Sequence, residues 1–188
     1  MPMEAPHLER RRFNVEDVMK MVDAGILRDD ERVELLHGEL VVVSPQGPPH
    51  STATSLLVDA LRAAYGAGYC VREAKPLIAG DDELPEPDVA VVRGSPRDYA
   101  DRHPSGDDAV LVVEAARTSH ATDREKIGIY ARGGVPVYWL LDLKVRHLEV
   151  FTDPQPDGRY RTVSVLAEHE TVELPVVGGT LRVAALLP

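Results

Sequence analysis

The sequence predicts an α/β domain built on one mixed sheet, and three observations predict it. Pro87-Asp88-Val89-Ala90-Val91-Val92 and Val110-Leu111-Val112-Val113-Glu114 are short, β-branched and apolar, and the loop between them carries Gly94, Ser95, Pro96, Pro104 and Gly106. That pattern reads as two strands paired antiparallel. Val137-Tyr138-Trp139-Leu140-Leu141 is a nearly continuous apolar run, the mark of a strand covered on both faces. Leu56, Leu57, Ala60, Leu61 and Ala64 recur at helical spacing, as do Ile127, Tyr130 and Ala131. From Ser51 to Asp142 the order is therefore helix, strand, strand, strand, helix, strand.

A chain of 188 residues fits one domain, expected over residues 13–188 behind a flexible arm at 1–12 that carries Arg10-Arg11-Arg12. Asn14 is a good N-cap, Phe13 and Val18 can staple the first turn, and Gly25 suits the end, which predicts a helix over Val15–Ala24. Glu31 to Val43 reads as a hairpin turning at His37-Gly38. Glu34 falls on the face opposite Val33 and Leu35, either as a surface charge or as an acid reaching toward a site. His50 stands at the start of the Ser51–Ala64 helix, where it can donate to a loop carbonyl or meet a phosphate or metal. Tyr69 to Ile78 is strand-like, with Glu73 and Lys75 on one face as a surface ion pair. Thr122-Asp123-Arg124-Glu125 is a capping box that opens the second core helix. Lys126, one turn from Tyr130 at the border of the inward face, has no such structural explanation. Gly133-Gly134 ends that helix, and strands at Leu148–Phe151 and Arg161–Val165 lead to a short strand, a Gly178-Gly179 turn and an apolar tail.

Composition narrows the function classes. A net charge of −10 argues against broad, charge-driven binding to nucleic acid, which draws its affinity from lysine and arginine. No apolar run approaches the ~20 residues of a membrane helix, and the N-terminus lacks a signal-peptide core, so no membrane partner and a cytoplasmic location are expected. The single cysteine, Cys70, is expected to be a small buried hydrophobe.

The two central strands carry the chemistry. An antiparallel register centred on their loop sets Asp88 against Glu114, Ala90 against Val112 and Val92 against Val110, and opposed residues have Cβ atoms roughly 5 Å apart. Two carboxylates about 4 Å apart repel by on the order of 4 kcal/mol at an effective dielectric near 20. Such a pair must share a proton, stay well solvated or hold a cation, and a divalent metal is the favoured reading.

The element order, with Pro-Asp opening one strand and a glutamate near the end of the next, is that of the PD-(D/E)XK nuclease superfamily. More closely, the chain resembles the Uma family of restriction-endonuclease-like proteins. The resemblance rests on Val33-Glu34-Leu35-Leu36-His37-Gly38-Glu39-Leu40, His50, Pro87-Asp88-Val89, Val113-Glu114, Lys126 with Tyr130, and Gly134-Val135-Pro136-Val137-Tyr138-Trp139. It covers about four fifths of the chain; no single motif is specific, but the ordered set is.

The resemblance implies a restriction-endonuclease-like core with an N-terminal helix and hairpin and C-terminal strands added. The superfamily pattern has a lysine two residues after the acid, where this chain has Glu114-Ala115-Ala116, and the resemblance implies that Lys126 takes that role from the following helix. It further implies Mg²⁺ (or Mn²⁺) held by Asp88, Glu114 and the carbonyl of Ala115, which suits an ion that takes one or two carboxylates and keeps water and phosphate ligands. Lys126 would orient or help deprotonate a water, and Lys126→Ala would leave stability unchanged. His50 and Glu34 are further candidates for phosphate contact and an added acidic ligand. The implied partner is nucleic acid, DNA first, with a homodimer suggested by the β-rich C-terminal part. Two alternatives stay open: a non-catalytic member of the fold that binds nucleic acid or protein, and a metal-independent hydrolase using Asp88 and Glu114 as acid and base.

Overall fold

Asn14 starts the first helix in the computed structural model, which describes residues 10–28, 30–116 and 120–188. Its side chain accepts from the Asp17 N–H while Asp17 reaches back to the Asn14 N–H, a reciprocal cap that opens α1 (Val15–Asp23). The strands β1 (Val33–Leu36) and β2 (Glu39–Val42) form a hairpin whose turn residues, His37 and Gly38, have φ of 52° and 72°. Two positive φ values are what a two-residue turn requires. Most of the expected arm, residues 1–9, lies outside the described residues; Arg12 is tied down by a bond from its guanidinium to the His37 carbonyl, 2.7 Å.

The second helix, α2 (Pro48–Tyr65), begins three residues before the expected Ser51. Pro48 and Pro49 end the preceding extended segment and also supply the first helical positions, where a missing N–H costs nothing. Next come β3 (Tyr69–Glu73), β4 (Val89–Arg93), a short 3-10 turn at Pro96–Tyr99, β5 (Ala109–Ala116), α3 (His120–Arg132) and β6 (Val137–Asp142). The strand expected to run to Ile78 stops at Glu73, because Ala74 turns at φ 43° and Pro76 follows; Lys75 therefore leaves the face it was expected to share with Glu73. Then β7 (His147–Pro154), β8 (Tyr160–Ala167), β9 (Thr171–Glu173) and β10 (Thr180–Arg182) lead to a closing 3-10 turn at Val183–Leu186.

The fold is mixed α/β, with one six-stranded sheet in the order β3-β4-β5-β6-β7-β8. Only β5 and β6 run parallel within it, joined through α3. Alternation along β6 sends Trp139 and Leu141 to the face covered by Ala53, Leu57 and Leu61 of α2, and Tyr138 and Leu140 to the face covered by Tyr130 and Ala131 of α3. Both aromatic residues are fully buried, as a strand covered on two sides demands. Trp139→Ala is accordingly expected to cost about 3–5 kcal/mol through the cavity it leaves, readable as a lowered midpoint in urea unfolding. Cys70 is part-buried and not sealed, because β3 is an edge strand. No helix among the described residues is long and apolar enough to cross a membrane.

The β4–β5 register decides where the carboxylates lie. Ala90 faces Val112 and Val89 faces Val113, as expected, but Val92 faces Ala109 and not Val110, because a bulge falls between Val91 and Val92. The irregularity sits at the loop end. At the other end the ladder is regular, and Asp88 and Glu114 stand one step beyond its last pair.

Candidate active site

Asp88 and Glu114 hold each other through the backbone. The Asp88 N–H lies 3.3 Å from Glu114 Oε2, and the Ala115 N–H donates to Asp88 Oδ2 at 2.8 Å. Each carboxylate thus takes a donor from the strand that carries the other. Both residues stand beyond the last β4–β5 pair, Val89 with Val113, so side chains take the place of that ladder here.

Each acid then meets a second shell of donors. Asp88 Oδ1 accepts from Gln46 Nε2 at 3.0 Å and lies 2.8 Å from His50 Nε2, the first brought by the loop before α2 and the second by its first turn. Glu114 Oε1 accepts from Tyr130 Oη at 3.0 Å and from Lys126 Nζ at 3.2 Å, both from α3. Lys126 also donates to Glu34 Oε1 at 2.7 Å, and the same oxygen accepts the Glu86 N–H at 2.7 Å. Glu34, Asp88, Glu114 and Lys126 are only 4–6% exposed. Even so, all four line one cavity of about 460 Å³ together with His50, Ala115 and Arg32. The acids therefore sit at the floor of a cleft.

The structure thus brings Asp88, Glu114, Ala115, Lys126, Glu34 and His50 to a single place. Glu34 is not the surface charge that one reading allowed. The hairpin is covered on both sides at this point, by Val18 and Leu84 over Leu35 and by Lys126 over Glu34. The Thr122 part of the expected capping box lies outside the described side chains, while the Glu125 carboxylate lies 3.1 Å from His37 Nε2. Sequence reasoning missed Gln46, which sits in a Pro- and Gly-rich loop with no periodicity to orient it; its only signal is that it precedes His50 by four residues.

Three carboxylates, Asp88, Glu114 and Glu34, face the single ammonium of Lys126 here. Burial alone would lower the lysine pKa, but Glu114 and Glu34 outweigh it and hold the amine above the ordinary lysine range. An ammonium bonded to two carboxylates at the cavity floor offers a fixed positive charge there. Burial, then the charges of Glu114 and Glu34, also raises the Tyr130 phenol well above its usual value. Both groups have folded pKa values above their unfolded ones, so the stability they contribute is complete below about pH 10 and is lost as pH rises beyond it. Urea unfolding followed from pH 8 to 11 should show that loss, and Tyr130→Phe should make it shallower.

The donor set fits a hard divalent cation. Among the described residues no three His, Cys, Asp or Glu side chains already converge as a closed metal site. Two carboxylates on an open cavity with surplus negative charge suit instead an ion such as Mg²⁺, which fills its remaining positions with water and substrate phosphate.

Residues 15–185 match the model of the Uma2 family, described as putative restriction endonuclease. Among solved structures, a putative nuclease belonging to DUF820 from Anabaena variabilis superposes with a TM-score of 0.74 at 18% identity, over 93% of this chain and 97% of that one. At that identity the likeness speaks to the fold alone. No curated protein matches the chain significantly.

Proposed function

The chain belongs to the Uma2 family of putative restriction endonucleases, and from that premise we propose that it is a metal-dependent nuclease hydrolysing phosphodiester bonds in DNA. The observation that carries the proposal is the reciprocal Asp88–Glu114 arrangement with the Lys126 ammonium beside it at the floor of one open cavity.

Asp88, Glu114 and the Ala115 carbonyl are the groups that would hold Mg²⁺ or Mn²⁺. Such an ion supplies a Lewis acid that makes water more acidic and offsets the charge developing on a phosphodiester. The chain's own residues do the rest. Tyr130 fixes Glu114 Oε1 so that the rest of the carboxylate keeps one orientation. Glu34 anchors Lys126 from the hairpin, and the anchored ammonium presents a fixed positive charge to an attacking water and to the phosphoryl oxygens. His50, at the first turn of α2 and beside Asp88, is placed to contact a phosphate entering the cavity.

A second reading is favoured by one observation. The net charge of −10 suits a non-catalytic member of the fold that binds nucleic acid or protein without cutting. Incubation of supercoiled, linear and single-stranded DNA with Mg²⁺ or Mn²⁺ separates the two. The nuclease reading predicts nicking or linearisation that stops with a chelator. A parent protein that cuts none of the three substrates with either ion establishes the non-catalytic reading in its place.

A further inference from the structure

Away from the cavity, the guanidinium of Arg72 on β3 is half-buried and has no acceptor among the described residues. Its Nε is sealed from solvent without a hydrogen-bond partner, and among the described residues no carboxylate or carbonyl serves the rest of the group. Buried polar atoms such as this Nε are rarely left so. The carboxylates that interact with Tyr99 are committed elsewhere. Asp108 accepts from Arg102 at 2.6 and 3.0 Å and from the Ser105 N–H at 2.8 Å, while Asp98 accepts from the Ser95 N–H at 2.7 Å.

What does surround Arg72 is a seat. The guanidinium lies 5.7 Å from the centroid of the Tyr99 ring, which is itself pinned by its hydroxyl to the Arg93 carbonyl and covered by Arg102 at 5.0 Å. His103 is close enough to feel the Arg72 charge: burial, then that charge, lowers its pKa. A cation resting on an aromatic face, with no carboxylate among the described residues accepting from it, is suited to a negatively charged acceptor. Arginine's planar fork suits the phosphate group best.

We propose that Arg72, resting on Tyr99, is a binding site for a phosphate-type oxyanion, separate from the Asp88–Glu114 site. Arg72 pairs with Ala90 across β3 and β4, and Ala90 lies two residues, or about 7 Å of strand rise, from Asp88. A phosphodiester of a bound nucleic-acid strand is therefore the natural source of the oxyanion. That last step rests on the nuclease reading; the site itself does not.

The test uses the metal-free full-length protein titrated with inorganic phosphate at constant ionic strength, with arginine Nε–H resonances followed by NMR and the melting temperature measured in parallel. The Arg72 resonance, identified by its absence in Arg72→Gln, should shift saturably, and phosphate should raise the melting temperature of the parent but not of Arg72→Gln. Arg72 makes no hydrogen bond among the described residues, so Arg72→Gln loses only the contact with Tyr99 and should melt within a few degrees of the parent in the absence of phosphate. A short single-stranded oligonucleotide that shifts the same resonance identifies a phosphodiester; inorganic phosphate acting alone supports the site with a free phosphate or nucleotide as its ligand. A parent whose Arg72 resonance does not move, or an Arg72→Gln variant stabilised as much as the parent, overturns the proposal. Cleavage takes no part in this titration, so an inactive protein that still binds phosphate would count against the nuclease reading only.

Discussion

Lys126→Ala should destabilise the fold by about 3–5 kcal/mol and abolish DNA cleavage at the same time. The residue is buried between Glu34 and Glu114, and its removal leaves two largely buried carboxylates facing each other without their counter-charge. The sequence alone suggested unchanged stability, since the acids would hold the ion while the lysine acts only on the water. The buried ion pairs overturn that expectation. They also supply the control: Glu34→Gln combined with Lys126→Met removes one carboxylate along with the ammonium, so it should recover much of the lost stability in urea unfolding. Cleavage should stay lost, because the positive charge at the reacting group is still missing. A double variant that regains both would reduce Lys126 to a structural residue.

Asp88→Asn should separate the two properties in the other direction. Asparagine keeps the size of the side chain and an oxygen to accept the Ala115 N–H, so the change in stability should stay within about 1–2 kcal/mol. One negative charge is gone from the donor pair, however, and both metal binding and cleavage should fall to background. Melting curves with and without Mn²⁺ give the first readout: the ion should stabilise the parent by mass action and leave Asp88→Asn unmoved.

The central pair was legible because strand physics is local. Alternation and a single polar loop were enough to oppose Asp88 and Glu114, and Ala90 and Val112, and they failed only at Val92, where a bulge adds a residue that no alternation pattern announces. Trp139 was legible for the same reason, since an uninterrupted apolar run must be covered on both faces. Glu34 was only half legible. Parity told which face of the hairpin it occupies, but whether α3 lies over that face is set by contacts 92 residues away. Lys126 was reached through family resemblance and an unexplained position on its helix, because no residue-level pattern aims an amine at a distant acid. Gln46 was not legible at all, since its orientation comes from the path of the loop between β2 and α2.

The most direct measurement of the central claim is a calorimetric titration of Mn²⁺ into the parent, Glu114→Gln and Asp88→Asn, in the absence of nucleic acid. Binding to the parent that is lost in both variants is the result expected of an ion held by Asp88 and Glu114. A parent that binds no ion, or variants that bind it as the parent does, would contradict the claim that these two carboxylates form a metal site.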